Sequence, residues 1–150
     1  MDAATMCTVL ALKCMLLAPD ARAPVRKTAT AAGYDLHALT AADLPPRGPP
    51  VQIRTGIAVE IPHDHYGRIA PRSSLAIEGI TTMAGVIDSD YRGEIVVILV
   101  NLHPTETVYI GAGDRIAQLI LERISTPPVV IVDALSNTTR GEGGFGSTGK

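Results

Sequence analysis

The chain alternates between short apolar runs and clusters of proline and glycine. The runs are rich in valine and isoleucine and recur at intervals of about eight to twelve residues, which is typical of strands joined by turns. This spacing favours an all-β sandwich or barrel over an α/β fold. The predicted strands cover residues 8–17, 51–54, 56–61, 67–70, 82–87, 94–102, 106–110, 116–123 and 129–132.

One short helix interrupts the predicted strands. It follows Pro71, begins at Ser73 or Ser74, and ends by Gly79. The first N–H groups of a helix suit a phosphate, and Arg72 would place a guanidinium beside them. Ordinary capping of the helix by a serine is the alternative interpretation.

The strand predicted at residues 94–102 begins with the run EIVVILV, residues 94–100. A strand that is apolar on both faces must be covered on both faces. The second cover comes either from the rest of this domain or from another subunit, and the pattern leaves both interpretations open.

Composition narrows the possible functions. With 150 residues, of which 46% are hydrophobic, the chain is expected to form one domain with a core of its own. A net charge of −2 argues against a nucleic-acid-binding surface. No apolar run reaches the length of a membrane span.

The apolar N-terminal residues 8–17 are better explained as a first strand than as a signal peptide. Asp2 stands where a signal peptide has basic residues, and Lys13 interrupts the apolar run. A cytoplasmic or nuclear location is therefore expected. Cys7 and Cys14 would face opposite sides of this strand, so both are expected to be reduced thiols.

The tail, residues 140–150, differs from the rest of the chain. Five of residues 141–149 are glycine, so no periodic apolar face can form. The tail nevertheless holds the only phenylalanine, Phe145, and it begins at Arg140. A nest of glycine N–H groups with an arginine suits a phosphate, and the ring could stack on a base. A frayed terminus is the alternative.

Five segments of the chain, taken in order, resemble the five motifs of the trimeric dUTPase family. They are residues 32–37 (AGYDLH), 67–76 (GRIAPRSSLA), 84–93 (AGVIDSDYRG) and 113–119 (GDRIAQL), followed by the tail. The resemblance implies an all-β distorted barrel or jelly roll with one short helix, assembled as a homotrimer with exchange of C-terminal arms. It also implies a β domain at residues 1–139 and a flexible glycine-rich lid at residues 140–150.

The activity implied by the resemblance is Mg²⁺-dependent hydrolysis of dUTP to dUMP and pyrophosphate. Such a reaction limits uracil in DNA and supplies dUMP for thymidylate synthesis. In the 84–93 motif, the backbone around Gly85 and Ile87 would bind uracil, and Tyr91 would lie flat against the deoxyribose. Asp88 would bind the 3′-hydroxyl side of the sugar and act as the general base that holds the attacking water.

The other motifs would bind the triphosphate and its metal. The implied phosphate-binding residues are Arg72, Ser73, Ser74 and Gln118, with Asp35 as an outer-shell acid that reaches Mg²⁺ through water. The tail would complete the site through Arg140, Phe145, Gly146, Ser147 and Thr148. In this family each site draws on three chains: one supplies Asp35, Arg72 and Gln118, a second supplies the 84–93 hairpin, and a third supplies the tail.

Two other functions are considered beside the hydrolase. The family usually has glycine where this chain has Ser74, and a serine there is similar to the dCTP deaminases of the same fold. Asp88, Tyr91 and the tail argue against the deaminase. A catalytically idle nucleotide-binding or partner-binding trimer is the other alternative, and the intact Asp88 and Arg72 argue against it.

Several further polar residues are expected to be structural. His63 and His65 have the spacing of a metal pair, but an exposed turn is favoured because no third ligand lies near them. Asp114 and Arg115 are expected to be turn residues, and His37 and His103 are expected to be structural. Residues 45–50 (PPRGPP) form a stiff surface loop in preference to a proline ligand for a partner domain.

Overall fold

The computed structural model describes residues 10–144. Eleven strands and one helix lie within them. They run in the order β1 (Lys13–Leu16), β2 (Gly33–His37), β3 (Ala42–Leu44), β4 (Val51–Arg54), β5 (Ile57–Glu60), β6 (His65–Ala70), α1 (Ser73–Ile77), β7 (Ile80–Met83), β8 (Val86–Ile87), β9 (Val96–Asn101), β10 (Val108–Ile110) and β11 (Arg115–Arg123). The predicted all-β fold with one short helix is confirmed.

Every strand pairing among the described residues is antiparallel, and the pairings form four small sheets. The largest has the order β2-β11-β6-β8, and a second has the order β4-β9-β7. Two-stranded sheets pair β1 with β5 and β10 with β3. Residues 10–144 do not close into a continuous barrel; the sheets instead enclose a shared core.

The core consists of aliphatic side chains contributed by strands of all four sheets. Leu36, Leu44, Ile57, Leu99 and Leu119 are each at most 1% exposed. Burial of such side chains contributes roughly 25 cal/mol per Å² of apolar surface removed from water. This burial supplies the main driving force for folding and holds the four sheets against one another.

Asn101, at the end of β9, is a buried polar residue whose hydrogen bonds join two strands and the turn that follows β9. Its Nδ2 donates to the carbonyl oxygens of Leu44 (2.9 Å) and Glu106 (2.8 Å), and its Oδ1 accepts from the N–H of His103 (2.8 Å). The side chain is 1% exposed, so water cannot easily replace these partners. Asn101 therefore fixes the ends of β3 and β9 and the turn that precedes β10.

The strand predicted at residues 82–87 is divided in two. β7 ends at Met83 and β8 begins at Val86, because the two residues between them have positive φ: 56° at Ala84 and 106° at Gly85. The two pieces then join different sheets, since β7 pairs with β9 and β8 pairs with β6.

The structure differs from the predicted strands in three further ways. Residues 129–132 form no strand, and their apolar side chains are 55–95% exposed. Two strands were not predicted, β2 and β3. The N-terminal strand is limited to β1 among the described residues, where Cys14 is an exposed free thiol; Cys7 lies outside the described residues.

β9 contains most of the apolar run at residues 94–100, which the sequence predicts to be covered on both faces. Val97, Leu99 and Asn101 face the core and are buried, whereas Val96, Ile98 and Val100 alternate with them and are half-buried. The domain therefore covers one face of β9 and leaves an apolar stripe on the other.

Two loops hold residues that are expected to be structural. In the proline-rich loop, Arg47 has a φ of 49° and its N–H donates to the Asn101 carbonyl, so the segment turns and does not form a polyproline helix. In the histidine pair, the Nδ1 of His63 contacts its neighbour Asp64 at 2.8 Å. No group of three or more metal-ligating side chains occurs among residues 10–144. No helix in that range is long and apolar enough to cross a membrane.

Replacing Asn101 with alanine should destabilise the fold by about 3 kcal/mol, since it leaves two carbonyl oxygens and one N–H group buried without their partner. Urea unfolding followed by circular dichroism measures this difference. Asn137→Ala, at an exposed position, is the matched control and should change the free energy of unfolding by less than about 0.5 kcal/mol. Equal stability of the Asn101→Ala variant and the wild type would show that the network is not needed.

Candidate active site

One cluster of charged side chains joins three elements. Asp35 lies in the middle of β2, Arg115 begins β11, and Arg72 precedes α1. One carboxylate oxygen of Asp35 is 3.4 Å from Nε of Arg72, and the other is 3.4 Å from a terminal nitrogen of Arg115. A guanidinium nitrogen of Arg72 also donates to the Arg115 carbonyl at 2.9 Å. The three predicted motifs that contain these residues thus meet at one place.

Gln118 joins the same cluster from β11. It pairs with Asp35 on one side and with Ala70 on the other, and its Nε2 donates to the Pro71 carbonyl at 3.0 Å. A Cβ atom at Gly33 would lie 2.1 Å from the Gln118 side-chain oxygen, so only glycine leaves room for this side chain. Gln118 is therefore half-buried at the site and does not simply face solvent.

The start of α1 completes this side of the site. Arg72 is the N-cap residue, with extended backbone, and its side chain makes no capping hydrogen bond. Ser73 and Ser74 are the first two helical residues and are exposed, so neither serine caps the helix. Both serines directly follow Arg72 in the chain, and hydroxyl groups next to a guanidinium suit the oxygens of a phosphate.

His37 lies at the end of β2, close to the charged cluster. Burial lowers the pKa of its imidazole below the usual value of 6.5, and the nearby Arg22 guanidinium lowers it further. Nδ1 of His37 is buried and has no hydrogen-bond partner among the described residues. The imidazole is consequently neutral near pH 7, and the positive charge of this site comes from its arginines.

A second part of the site surrounds the turn that follows β8. A cavity of about 190 Å³ is lined there by Val86, Ile87, Asp88, Tyr91, Glu94 and Val96. Apolar side chains and an aromatic ring form most of its wall, and two acidic residues also line it. This combination suits the ring and the sugar of a nucleoside.

Asp88 and Tyr91 are held by a tight turn. The N–H of Tyr91 donates to the Asp88 carbonyl at 3.1 Å, and the Tyr91 hydroxyl donates to the Glu94 carbonyl at 3.0 Å. Asp88 is exposed, and no group among residues 10–144 forms a hydrogen bond or ion pair with its carboxylate. The carboxylate is thus available to a ligand, while the tyrosine ring has a defined position.

Gly85 lies just before β8 and determines the direction in which the chain enters this strand and the turn after it. Its carbonyl accepts from the N–H of Ile69 at 2.8 Å, and a Cβ atom built on it would lie 2.7 Å from the Ile69 carbonyl oxygen. With a φ of 106°, the position requires glycine for both its backbone angle and its close approach to β6.

The two parts of the site lie apart along β6. Ile87 pairs with Gly67, whereas Gln118 binds the carbonyl of Pro71, four residues further on. At about 3.3 Å per residue, four residues span roughly 13 Å. Because β8 runs antiparallel to β6, Asp88 continues away from Arg72 and the separation grows beyond that value. One chain does not bring Asp88 together with Arg72 and Gln118.

The tail is described only at its beginning. Arg140 is exposed, and its Nε donates to the Gly143 carbonyl at 2.7 Å. The predicted site residues Phe145, Gly146, Ser147 and Thr148 lie outside the described residues.

The sequence predicts that Asp114 and Arg115 are turn residues. The structure agrees with this prediction for Asp114 but not for Arg115. The Asp114 carboxylate accepts from the N–H of Gly111 at 2.7 Å and stabilises the turn before β11. Arg115 belongs to the charged cluster instead. The one signal that could have identified it is its position three residues before Gln118 in the same motif.

Comparisons with known proteins agree with these motifs. A dUTPase family model matches residues 20–149. The deoxyuridine 5′-triphosphate nucleotidohydrolase of Candida albicans is 49% identical over 142 residues, which are 93% of this chain and 88% of that protein.

Two solved structures have the same fold. A variant of the Staphylococcus bacteriophage 80alpha dUTPase with dUpNHpp aligns with a TM-score of 0.86 and 30% identity over 93% of this chain and 99% of that one. A variant dUTPase from phage phi11 of S. aureus, described with a structural Mg(II) ion, aligns with a TM-score of 0.76 and 27% identity over 83% and 97% of the two chains.

Replacing Gly85 with alanine should destabilise the fold by about 3 kcal/mol, because the new Cβ atom meets the Ile69 carbonyl and the backbone angle is strained. Urea unfolding measures the loss. Gly141→Ala is the matched control, since Gly141 also has positive φ but no neighbouring atom within 4 Å of an added Cβ. If both variants lose the same small amount, the contact between Gly85 and β6 does not constrain the turn.

Proposed function

The chain belongs to the dUTPase family, and we propose that it hydrolyses dUTP to dUMP and pyrophosphate through attack of water on the α-phosphorus. The observation that carries the proposal is the division of the site into two complementary parts. A nucleoside-sized cavity beside Asp88 and Tyr91 accounts for one part of dUTP, and the cluster of Arg72, Arg115 and Gln118 accounts for the other.

Recognition of uracil depends on the backbone near Gly85 and Ile87. Main-chain N–H and C=O groups can pair with the uracil edge, and cytosine would place a donor where an acceptor is needed. Each unpaired buried group costs about 1–3 kcal/mol, which is enough to exclude the wrong base. A thymine methyl group would have to be overpacked into this tight turn, which also costs free energy.

Asp88 acts as the general base. Its carboxylate is exposed beside the cavity that receives the nucleoside, so it can orient a water molecule for attack on the α-phosphorus. Proton abstraction by a positioned carboxylate typically contributes about 10²–10⁴-fold to the rate. The bond between the α-phosphorus and the bridging oxygen breaks in the same step, and pyrophosphate leaves.

The arginine cluster stabilises the charge that develops on the phosphates. Arg72 and Arg115 hold their guanidinium groups together through Asp35, and Gln118 presents an amide beside them. Groups that are fixed before the substrate arrives need no reorganisation during the reaction. Ser73 and Ser74 offer further hydroxyl donors at the start of α1.

The residues of the cluster fit a Mg²⁺ ion that is held mainly by the substrate. Residues 10–144 contain no group of three or more His, Cys, Asp or Glu side chains that could hold a metal, and Asp35 is the one carboxylate in this cluster. Mg²⁺ retains several waters and binds phosphate oxygens readily, so one outer carboxylate is sufficient. When bound, the ion neutralises negative charge on the phosphates.

Completion of the site requires more than one copy of the chain. Asp88 lies beyond one end of the β6 pairing and Arg72 beyond the other, so a second chain must supply the missing half. A homotrimer is supported by two apolar surfaces that the described chain leaves uncovered. They are the half-buried stripe of Val96, Ile98 and Val100 on β9 and the exposed residues 129–132 of the C-terminal arm.

The glycine-rich tail, residues 140–150, serves as a lid in this proposal, and residues 1–139 serve as the domain that it covers. Arg140 is exposed and can reach a phosphate, while Phe145 can stack on the base. A lid that closes on the nucleotide excludes bulk water and aligns the phosphates.

Pyrophosphate release in the presence of Mg²⁺ tests the proposed function, with dUTP, dCTP, dTTP and UTP as substrates. We expect release from dUTP alone, and a decrease of at least about 10²-fold in Asp88→Asn, because the amide cannot accept the proton. Asp90→Asn is the matched control, since Asp90 is exposed in the same turn but does not line the cavity. Release of ammonia from dCTP without pyrophosphate would favour a deaminase, and binding of dUTP without turnover would favour an idle trimer.

A further inference from the structure

The turn of residues 88–91, which holds Asp88 and Tyr91, is called the catalytic turn below. Glu94 binds the segment that follows this turn to a distant part of the chain. We propose that Glu94 is a positioning residue which, through the main chain, holds the Tyr91 ring against the sugar and so sets discrimination between deoxyribose and ribose. This inference rests on the proposed function and adds a residue outside the five motifs, since the 84–93 motif ends one residue earlier.

Glu94 forms the densest set of hydrogen bonds around the turn. Its two carboxylate oxygens accept from Nε of Arg54 at 3.2 and 2.9 Å, and one of them also accepts from the N–H of Gly56 at 2.8 Å. The side chain is only 20% exposed, so these bonds are partly shielded from water. Gly56 has a φ of 69° and forms the turn between β4 and β5. Glu94 therefore binds the end of the catalytic turn to the β4–β5 turn.

The neighbouring residue strengthens the same attachment. Ile95 is fully buried, and its N–H donates to the Ile57 carbonyl at 2.8 Å. Its carbonyl accepts from the Thr55 hydroxyl at 2.5 Å, and Thr55 is itself 2% exposed. These bonds fix the course of the chain just before β9. The carboxylate of Glu94 adds the contact nearest to the catalytic turn.

Tyr91 depends directly on this attachment. Its hydroxyl donates to the Glu94 carbonyl at 3.0 Å, and its ring folds back over Gly93. A Cβ atom on Gly93 would lie 2.4 Å from the Tyr91 hydroxyl oxygen, so the ring and the backbone of residues 91–94 are in close contact. A shift of the Glu94 main chain would therefore move the ring.

A displaced ring affects the sugar more than the phosphates. Both Tyr91 and Glu94 line the cavity of about 190 Å³, whereas Arg72 and Gln118 belong to the other part of the site. If the ring moves outward, the cavity gains room beside the sugar, and a ribose hydroxyl can fit. The expected consequence is a change in selectivity, which a general loss of stability would not produce.

The test compares kcat/KM for dUTP and for UTP in the wild type and in Glu94→Ala, with Mg²⁺ present. We expect the ratio of the two values to fall about tenfold, mainly through a higher KM for dUTP and a lower KM for UTP. Glu60→Ala is the matched control, because it removes an exposed carboxylate that pairs with Lys13 at 2.7 Å and does not line the cavity. The ratio should be unchanged in that control.

Three further variants separate positioning from folding. Glu94→Gln keeps an acceptor for the Gly56 N–H, and Arg54→Ala keeps the same hydrogen bond, so each should lower the ratio by only about two- to fivefold. Both remain informative if Glu94→Ala does not fold. In a Tyr91→Phe background, which already lacks the hydroxyl contact, Glu94→Ala should add little to the loss of discrimination.

An unchanged ratio in folded Glu94→Ala would overturn the inference, as would full additivity with Tyr91→Phe. A wild-type enzyme that releases no pyrophosphate from dUTP would instead overturn the proposed function, and the inference would fall with it. The two failures are distinguishable because the first occurs in an enzyme that is active on dUTP.

Discussion

The antiparallel pairing of β8 with β6 is the constraint on which the organisation of the site depends. Two residues of β8 pair with β6, and this short register determines the direction in which the chain leaves the sheet. It sends Asp88 and Tyr91 away from the end of β6 where Arg72 and Gln118 meet. A chain with this register therefore holds the Asp88 turn and the Arg72 cluster at separate places.

Other features follow from the same arrangement. The break at Ala84 and Gly85 allows β7 to stay with β9 while β8 crosses to β6. The crossing segment then needs attachments of its own, since only two of its residues are in a strand. Ile95 supplies one through buried hydrogen bonds, and Glu94 supplies another through Arg54 and Gly56. The half-buried stripe on β9 and the exposed residues 129–132 are the apolar surfaces on which the proposed homotrimer rests.

The hydrophobic pattern predicted the strands whose apolar side chains are buried by the rest of the same chain. Residues 51–54 and 116–123 are examples, because their apolar side chains pack on the core of the same chain. The pattern failed at residues 129–132, which are as apolar as a strand but find no partner among the described residues. It also missed β2, where Gly33 and Asp35 weaken the apolar signal because both serve the charged site.

Most of the site residues came from the resemblance of motifs and not from the pattern. Arg115 was missed because an arginine after Gly-Asp is typical of a turn, and only the pairing of β11 with β2 brings it to Asp35. Glu94 was missed because it opens an apolar run, and its partners are about forty residues away in the chain. Long-range register decides both positions, and local propensity carries no information about it.

Mixing two inactive variants tests the central claim most directly. Asp88→Asn lacks the base and Arg72→Ala lacks a phosphate ligand, so each alone should be nearly inactive toward dUTP. When the two are unfolded together and reassembled in equal amounts, the account predicts that activity returns to about a quarter of the wild-type value. Each site then needs its intact Asp88 from one kind of chain and its intact Arg72 from the other, and random assembly supplies each with a probability of about one half. No recovery in a mixture of folded, assembled chains would show that each site is built within one chain and would contradict the account.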